Sequence, residues 1–161
     1  MIEIADPSVD EQVLQSLSDD EKVELIRKHP DLAPIFTNWN VGGSLDLDGC
    51  TGLTSLPKEL KVGGYLNLSY CTGLTSLPEG LKVGGSLYLR GCTSLTSLPE
   101  GLKVSMDLYL NGCTGLTSLP EGLEVDYLSL EGCTGLPYKK ESDLPKGIKG
   151  KVYIKGEVYW I

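Results

Sequence analysis

The chain has 161 residues, 40% of them hydrophobic and 22% charged, with a formal net charge of -8. That length and balance suit one folded domain with its own core and exclude a disordered tract. The acidic balance argues against a nucleic-acid partner, and no apolar run approaches the roughly 20 residues of a membrane span.

The charge is uneven. Residues 1–40 carry -6, residues 41–135 carry -5 and residues 136–161 carry +3. The first stretch, "MIEIADPSVDEQVLQ", is acidic and lacks an apolar core, so it does not read as a secretory signal. A cytoplasmic protein is expected, or one exported by a route without a cleaved signal peptide.

Residues 1–40 read as a helical N-terminal cap. Ser8 to Glu11 and Ser18 to Glu21 both match the capping box, with Glu three residues after Ser. Val13, Leu14 and Leu17 give the first helix an apolar stripe, and Val23 and Ile26 do so for the second. His29-Pro30 ends the second helix, because a residue before proline avoids the α region. Trp39 and Phe36 read as packing that joins these helices to the first coil of the chain beyond them.

Residues 41–136 repeat one phrase. Cys50, Cys71, Cys92, Cys113 and Cys133 are spaced 21, 21, 21 and 20 apart. Periods of this length are a solenoid signature. Each copy holds an "LxL" such as Leu66-Asn67-Leu68, a period-2 alternation that predicts a short strand. "VGG" before it supplies a bend, since glycine tolerates positive φ. After the cysteine, leucine every third residue and then proline predict an extended or 3₁₀-like return. No single coil can bury its leucines alone, so the coils must stack.

The phrase "LxLxxCxxLxxLP" resembles the leucine-rich-repeat family. The "LTSLPEGL" half is similar to the short bacterial type found in leucine-rich domains of secreted effectors. The resemblance is close over residues 41–136 and looser to about residue 156. It implies a leucine-rich-repeat solenoid with parallel strands on a concave side, returns on a convex side and caps at both ends. It also implies a non-catalytic module that binds a partner protein through the concave sheet. Cysteine here takes the place where many members carry asparagine.

The cysteines are expected to be inward, reduced filling. A metal site needs converging ligands, often as C-x₂₋₄-C pairs, and no such pair exists. His29 is the one histidine and lies outside the repeats. An odd number of thiols on parallel stacked coils is poorly placed for bridging. Buried free thiols suit a reducing compartment.

Residues 137–161 read as a degenerate last repeat and a C-terminal cap. "DLPKGIKGKVYI" echoes "SLPEGLKVGGSLYL", with an insertion around Lys139 to Ser142. Lys155-Gly156 permits a two-residue turn, which pairs Val152–Ile154 with Val158–Trp160 as a closing hairpin. Its lysines and glutamate are expected to protect the last sheet edge.

Strand alternation fixes what the sheet shows to solvent. One outward column reads Ser44, Tyr65, Ser86, Asp107, Tyr127, and the next Asp46, Asn67, Tyr88, Tyr109, Ser129. The third reads Asp48, Ser69, Arg90, Asn111, Glu131. Tyr65, Tyr88, Arg90, Asp107, Tyr109 and Tyr127 are the candidate protein-binding residues, since tyrosine and arginine are enriched at binding hot spots. Tyrosine also favours strands in its own right, which is the plainer account of the same columns.

A rival reading makes the solenoid a structural or surface-active element. Thr54, Thr75, Thr96 and Thr117 form a regular column on the returns, as do the threonines after each cysteine. Such ladders suggest ice binding by analogy, against the plainer role of bonding backbone groups. Enzyme chemistry finds no phosphate-loop, nucleophile-elbow, HExxH or dinucleotide motif. No enzyme activity, cofactor or metal is expected, and the partner is expected to be a protein, with no nucleic acid and no membrane. A monomer is the expected state.

Overall fold

The computed structural model describes residues 11–161. The Ser8 end of the first capping box lies outside them. Helix α1 spans Glu11–Gln15 and helix α2 Asp19–Lys28. The second capping box is formed. The Ser18 oxygen accepts from the Glu21 N–H at 3.3 Å, and the Glu21 carboxylate accepts from the Ser18 N–H at 2.8 Å. Acidic Asp19, Asp20 and Glu21 open the helix, and Arg27 and Lys28 close it, as its dipole favours. The helix stops at His29, and Pro30–Ile35 forms a 3₁₀ turn that sequence periodicity did not anticipate. Leu14, Leu17 and Val23 pack against the core and Ile26 is buried in it, but Val13 faces solvent.

Phe36 and Trp39 are buried side by side, ring centroids 5.8 Å apart. The Trp39 Nε1–H donates to the Asp19 carboxylate at 2.7 Å, which ties α2 to the first coil. Lys22 is buried with its Nζ over both rings, at 5.8 and 5.6 Å from their centroids.

From Asn40 onward the chain is a parallel β-solenoid of about five turns with a spacing of about 21 residues. Each early coil carries two short strands. These are β1 (Asn40–Val41) and β2 (Leu45–Asp46), β3 (Lys61–Val62) and β4 (Leu66–Asn67), β5 (Lys82–Val83) and β6 (Leu87–Tyr88), then β7 (Lys103–Val104) and β8 (Asp107–Tyr109). Next come β9 (Glu124–Ser129), β10 (Lys149–Ile154) and β11 (Glu157–Trp160). They form a four-stranded sheet, β1-β3-β5-β7, and a seven-stranded sheet, β11-β10-β9-β8-β6-β4-β2.

The seven-stranded sheet is the one the "LxL" alternation predicts. Its register places Leu45, Leu66, Leu87, Leu108, Leu128 and Val152 side by side, all at 0–1% exposure. Each such side chain gains about 1.5–3 kcal/mol by leaving water, and only the neighbouring coils remove that water.

The four-stranded sheet is a difference from the sequence reading. The lysine-valine pair before each bend is itself a two-residue strand, with valine buried and lysine exposed. The glycines after Val62 and Val83 are required by close approach. A β-carbon on Gly63 would collide with the Gly42 carbonyl oxygen, and one on Gly84 with that of Gly63. The returns are extended, with tight turns such as Leu53 N–H to Cys50 O at 3.0 Å. Among the described residues the 3₁₀ segments lie at Pro30–Ile35 and Glu141–Asp143, the second on the return between β9 and β10, so the regular returns take the extended form of the two expected.

Ser105-Met106 already replaces the glycine pair in the fourth coil, where β7 and β8 stay separate; the next copy lacks the pair and is also one residue shorter. With that residue lost, β9 runs straight through both strand positions for six residues. Strand β10 then pairs with β9 in parallel, Val152 beside Leu128, with a register shift at Gly150. Lys155 and Gly156, at φ 47° and 91°, make the tight turn into antiparallel β11.

The cysteines form an internal ladder. The thiols of Cys71, Cys92, Cys113 and Cys133 donate to the carbonyls of Leu47, Leu68, Leu89 and Leu110 at 3.2, 3.1, 3.0 and 2.9 Å. All five cysteines are free and buried. Burial pushes the Cys71 and Cys92 thiols up to about 12 and Cys133 to about 11, and raises Cys50 and Cys113 as well.

Candidate binding surface

The solvent side of the seven-stranded sheet carries the candidate residues. Inward leucines force their neighbours outward, so the strand register decides which side chains meet. Tyr88 and Tyr109 are direct register partners, and their rings stack in parallel, 5.0 Å apart with an interplanar angle of 2°. Tyr65 meets Tyr88 edge-on at 6.1 Å, and Tyr127 meets Tyr109 at 5.8 Å with a 54° tilt. The four rings therefore make one continuous run across β4, β6, β8 and β9, in contacts of a favourable kind.

The two other candidates attach to the same ring. The Arg90 guanidinium lies over Tyr109 at 5.3 Å. The Tyr109 hydroxyl donates to the Asp107 carboxylate at 3.1 Å. Burial first, then this bond, raises the Tyr109 hydroxyl above its ordinary range. Tyr65 and Arg90 are exposed, while Tyr88, Asp107, Tyr109 and Tyr127 are half-buried. Tyr65, Tyr88, Arg90 and Tyr109 line an open groove that runs to Asp46 and Asp48.

Three serines of the outward columns are not solvent-facing. Ser69, Ser86 and Ser129 are buried, each a small side chain between larger column neighbours. Ser86 Oγ accepts from the Asp107 N–H at 3.4 Å, and Ser129 Oγ from Asn111 at 2.8 Å. They support the surface from below.

Three residues extend the face beyond the sequence-derived set. Lys151 stands beside Tyr127, Tyr153 beside Ser129, and Trp160 beside Lys151. The Lys151 Nζ lies over the Trp160 ring at 5.1 Å. Trp160 is 77% exposed. The period-2 pattern of "KVYIKGEVYWI" contained this signal, but the shift at Gly150 hid its alignment with the tyrosine columns.

The first edge of this sheet meets α2. Arg27 donates to the carbonyls of Asp46 and Asp48, both at 3.0 Å, and approaches the Asp46 carboxylate at 3.7 Å. Its guanidinium also reaches the Cys50 sulfur at 3.9 Å, where the ladder has no earlier coil.

The threonine columns lie exposed on the returns. Thr75 and Thr117 hydroxyls donate to the Thr54 and Thr96 carbonyls, both at 3.4 Å. These bonds run between coils rather than within one. Among the described residues no group of three or more His, Cys, Asp or Glu side chains is arranged to hold a metal ion. No helix among them is long and apolar enough to cross a membrane.

In comparisons with known proteins, no family model, no curated protein and no solved structure matches the chain.

Proposed function

We propose that this chain is a non-catalytic binding module of leucine-rich-repeat type, which holds a partner protein on its tyrosine face. The observation that carries the reading is the continuous run of Tyr65, Tyr88, Tyr109 and Tyr127 with Arg90 laid on it. Tyrosine offers large contact area at small entropy cost, and a stacked, hydrogen-bonded set loses less freedom on binding. The helices and the hairpin act as the caps of the solenoid. The repeated "LxLxxCxxLxxLP" supports the leucine-rich type, and five free buried thiols suit a reducing compartment.

The test compares partner capture by the wild type, by Tyr88→Ala/Tyr109→Ala and by Thr75→Ala/Thr96→Ala on the return face. The reading expects one protein to be lost with the tyrosine pair and kept with the threonine pair. Equal capture by both variants contradicts it. The exposed, regularly spaced threonines favour a second reading, ice binding. Thermal hysteresis that the threonine pair abolishes supports that reading instead.

A further inference from the structure

We infer that β11 pairs edge to edge with β11 of a second copy, joining two seven-stranded sheets into one through a two-fold axis at Tyr159. β11 ends the sheet, so among the described residues no strand lies beside one side of its backbone. Antiparallel pairing says which groups face out. Gly150 and Ile161 exchange both N–H to carbonyl bonds, at 3.1 and 3.0 Å. The pattern alternates, so Tyr159 with Val152 and Glu157 with Ile154 bond inward as well. Val158 and Trp160 therefore turn their N–H and carbonyl groups away from β10.

Those two residues are complementary to themselves. With Tyr159 on the axis, Val158 of one copy lies opposite Trp160 of the other, and the reverse. Each such pair exchanges two backbone bonds, which satisfies every outward group of both residues. Side chains agree with backbone. Val158 and Trp160 are 45% and 77% exposed, and this register lays each apolar side chain against the other. Glu157 then faces Ile161 across the seam.

The alternative of head-to-tail addition is closed by the other end of the sheet. Its edge strand is β2. The Asp46 and Asp48 carbonyls there are occupied by Arg27, and the Asp48 N–H donates to the Asp46 carboxylate at 2.9 Å. One open edge and one closed edge permit a closed pair and not a fibre. The hairpin thus moves the sheet edge outward instead of protecting it, and the expected monomer gives way to a dimer.

Sedimentation velocity of the full chain, from about 1 to about 200 μM, tests the inference. A reversible monomer–dimer equilibrium is expected. Val158→Pro deletes one outward N–H and leaves the inward ladder whole, since that N–H bonds nothing in β10. It should weaken the dimer at least about tenfold with an unchanged circular-dichroism spectrum. Trp160→Lys decides the matter should the proline variant lose its fold, because it puts a charge into the seam. A single monomeric species throughout overturns the inference and leaves the edge to a strand of another protein. Equal dimerisation of folded variants, or assemblies that keep growing with concentration, overturns it too.

Discussion

The Cys92 thiol donates to the Leu68 carbonyl, 24 residues back, at 3.1 Å. The same carbonyl accepts the Cys71 N–H at 3.1 Å, so one oxygen closes a turn within its coil and joins it to the next. The cysteine column is thus a hydrogen-bonding ladder as well as filling. Cys92→Ala removes both the sulfur volume and the donor and should cost about 1–3 kcal/mol. Cys92→Ser keeps a donor and should cost no more than alanine. Urea unfolding of both variants measures the difference.

The ladder also sets an alkaline limit. The Cys92 thiol sits at about 12 in the folded chain against an ordinary value of 9.0, because burial disfavours thiolate. A folded value above the unfolded one gives stability that is whole below the unfolded value. It is lost as pH rises toward the folded one. The urea midpoint should therefore fall from about pH 9 upward, and fall less steeply in Cys92→Ala. Below pH 8 the native thiols should resist a thiol-reactive dye, and all five should react once unfolded.

Gly42 and Gly84 occupy the same place in their coils and predict opposite outcomes. A β-carbon on Gly42 meets nothing within 4 Å, whereas one on Gly84 strikes the Gly63 carbonyl oxygen. The first coil has no earlier coil to strike. Gly42→Ala should stay within about 0.5 kcal/mol of the wild type, and Gly84→Ala should lose about 2 kcal/mol or more. Equal melting temperatures for the two would contradict the stacking described.

The leucine core was legible because burial imposes period 2 on "LxL" and the same slots on every copy. The tyrosine columns came from the same alternation, since whatever lies between inward leucines faces out. Lys61-Val62 could not be read as a strand, because two residues carry no periodicity. Arg27 was equally invisible. Its reach to Asp46 and Asp48 depends on how α2 lies on the first coil, which no local pattern encodes. Ser86 and Ser129 were misplaced because alternation gives direction but not depth, and larger neighbours decide what stays wet.

Arg27 links helix and sheet, and its loss should be felt at both. Arg27→Ala frees two edge carbonyls and removes an ion pair whose side chains are 43% and 49% exposed. That exposure discounts the charge, so about 1 kcal/mol is expected, mostly from the backbone bonds. The larger effect should be on association. With the β2 edge open, head-to-tail addition becomes available, and light scattering should show species larger than those of the wild type. Arg27→Lys should rescue only in part, since an ammonium lacks the planar fork that reaches two carbonyls together.

Tyr109 offers a probe of the face that needs no partner. Burial raises its hydroxyl first, and the Asp107 carboxylate adds to this by accepting the hydroxyl proton and repelling a phenolate. In ring-labelled protein, Tyr109 should titrate above the ordinary tyrosine range. Asp107→Asn removes the negative charge and should bring that titration down, with the stacked contact to Tyr88 preserved. For stability, a raised folded value favours the fold below the ordinary tyrosine value, and the contribution fades as pH climbs through the folded one. A Tyr109 signal that ignores the Asp107 substitution would mean that the hydroxyl and carboxylate are not bonded in solution. Loss of the Tyr88 stack in the same variant would mean that Asp107 positions the ring as well as its proton.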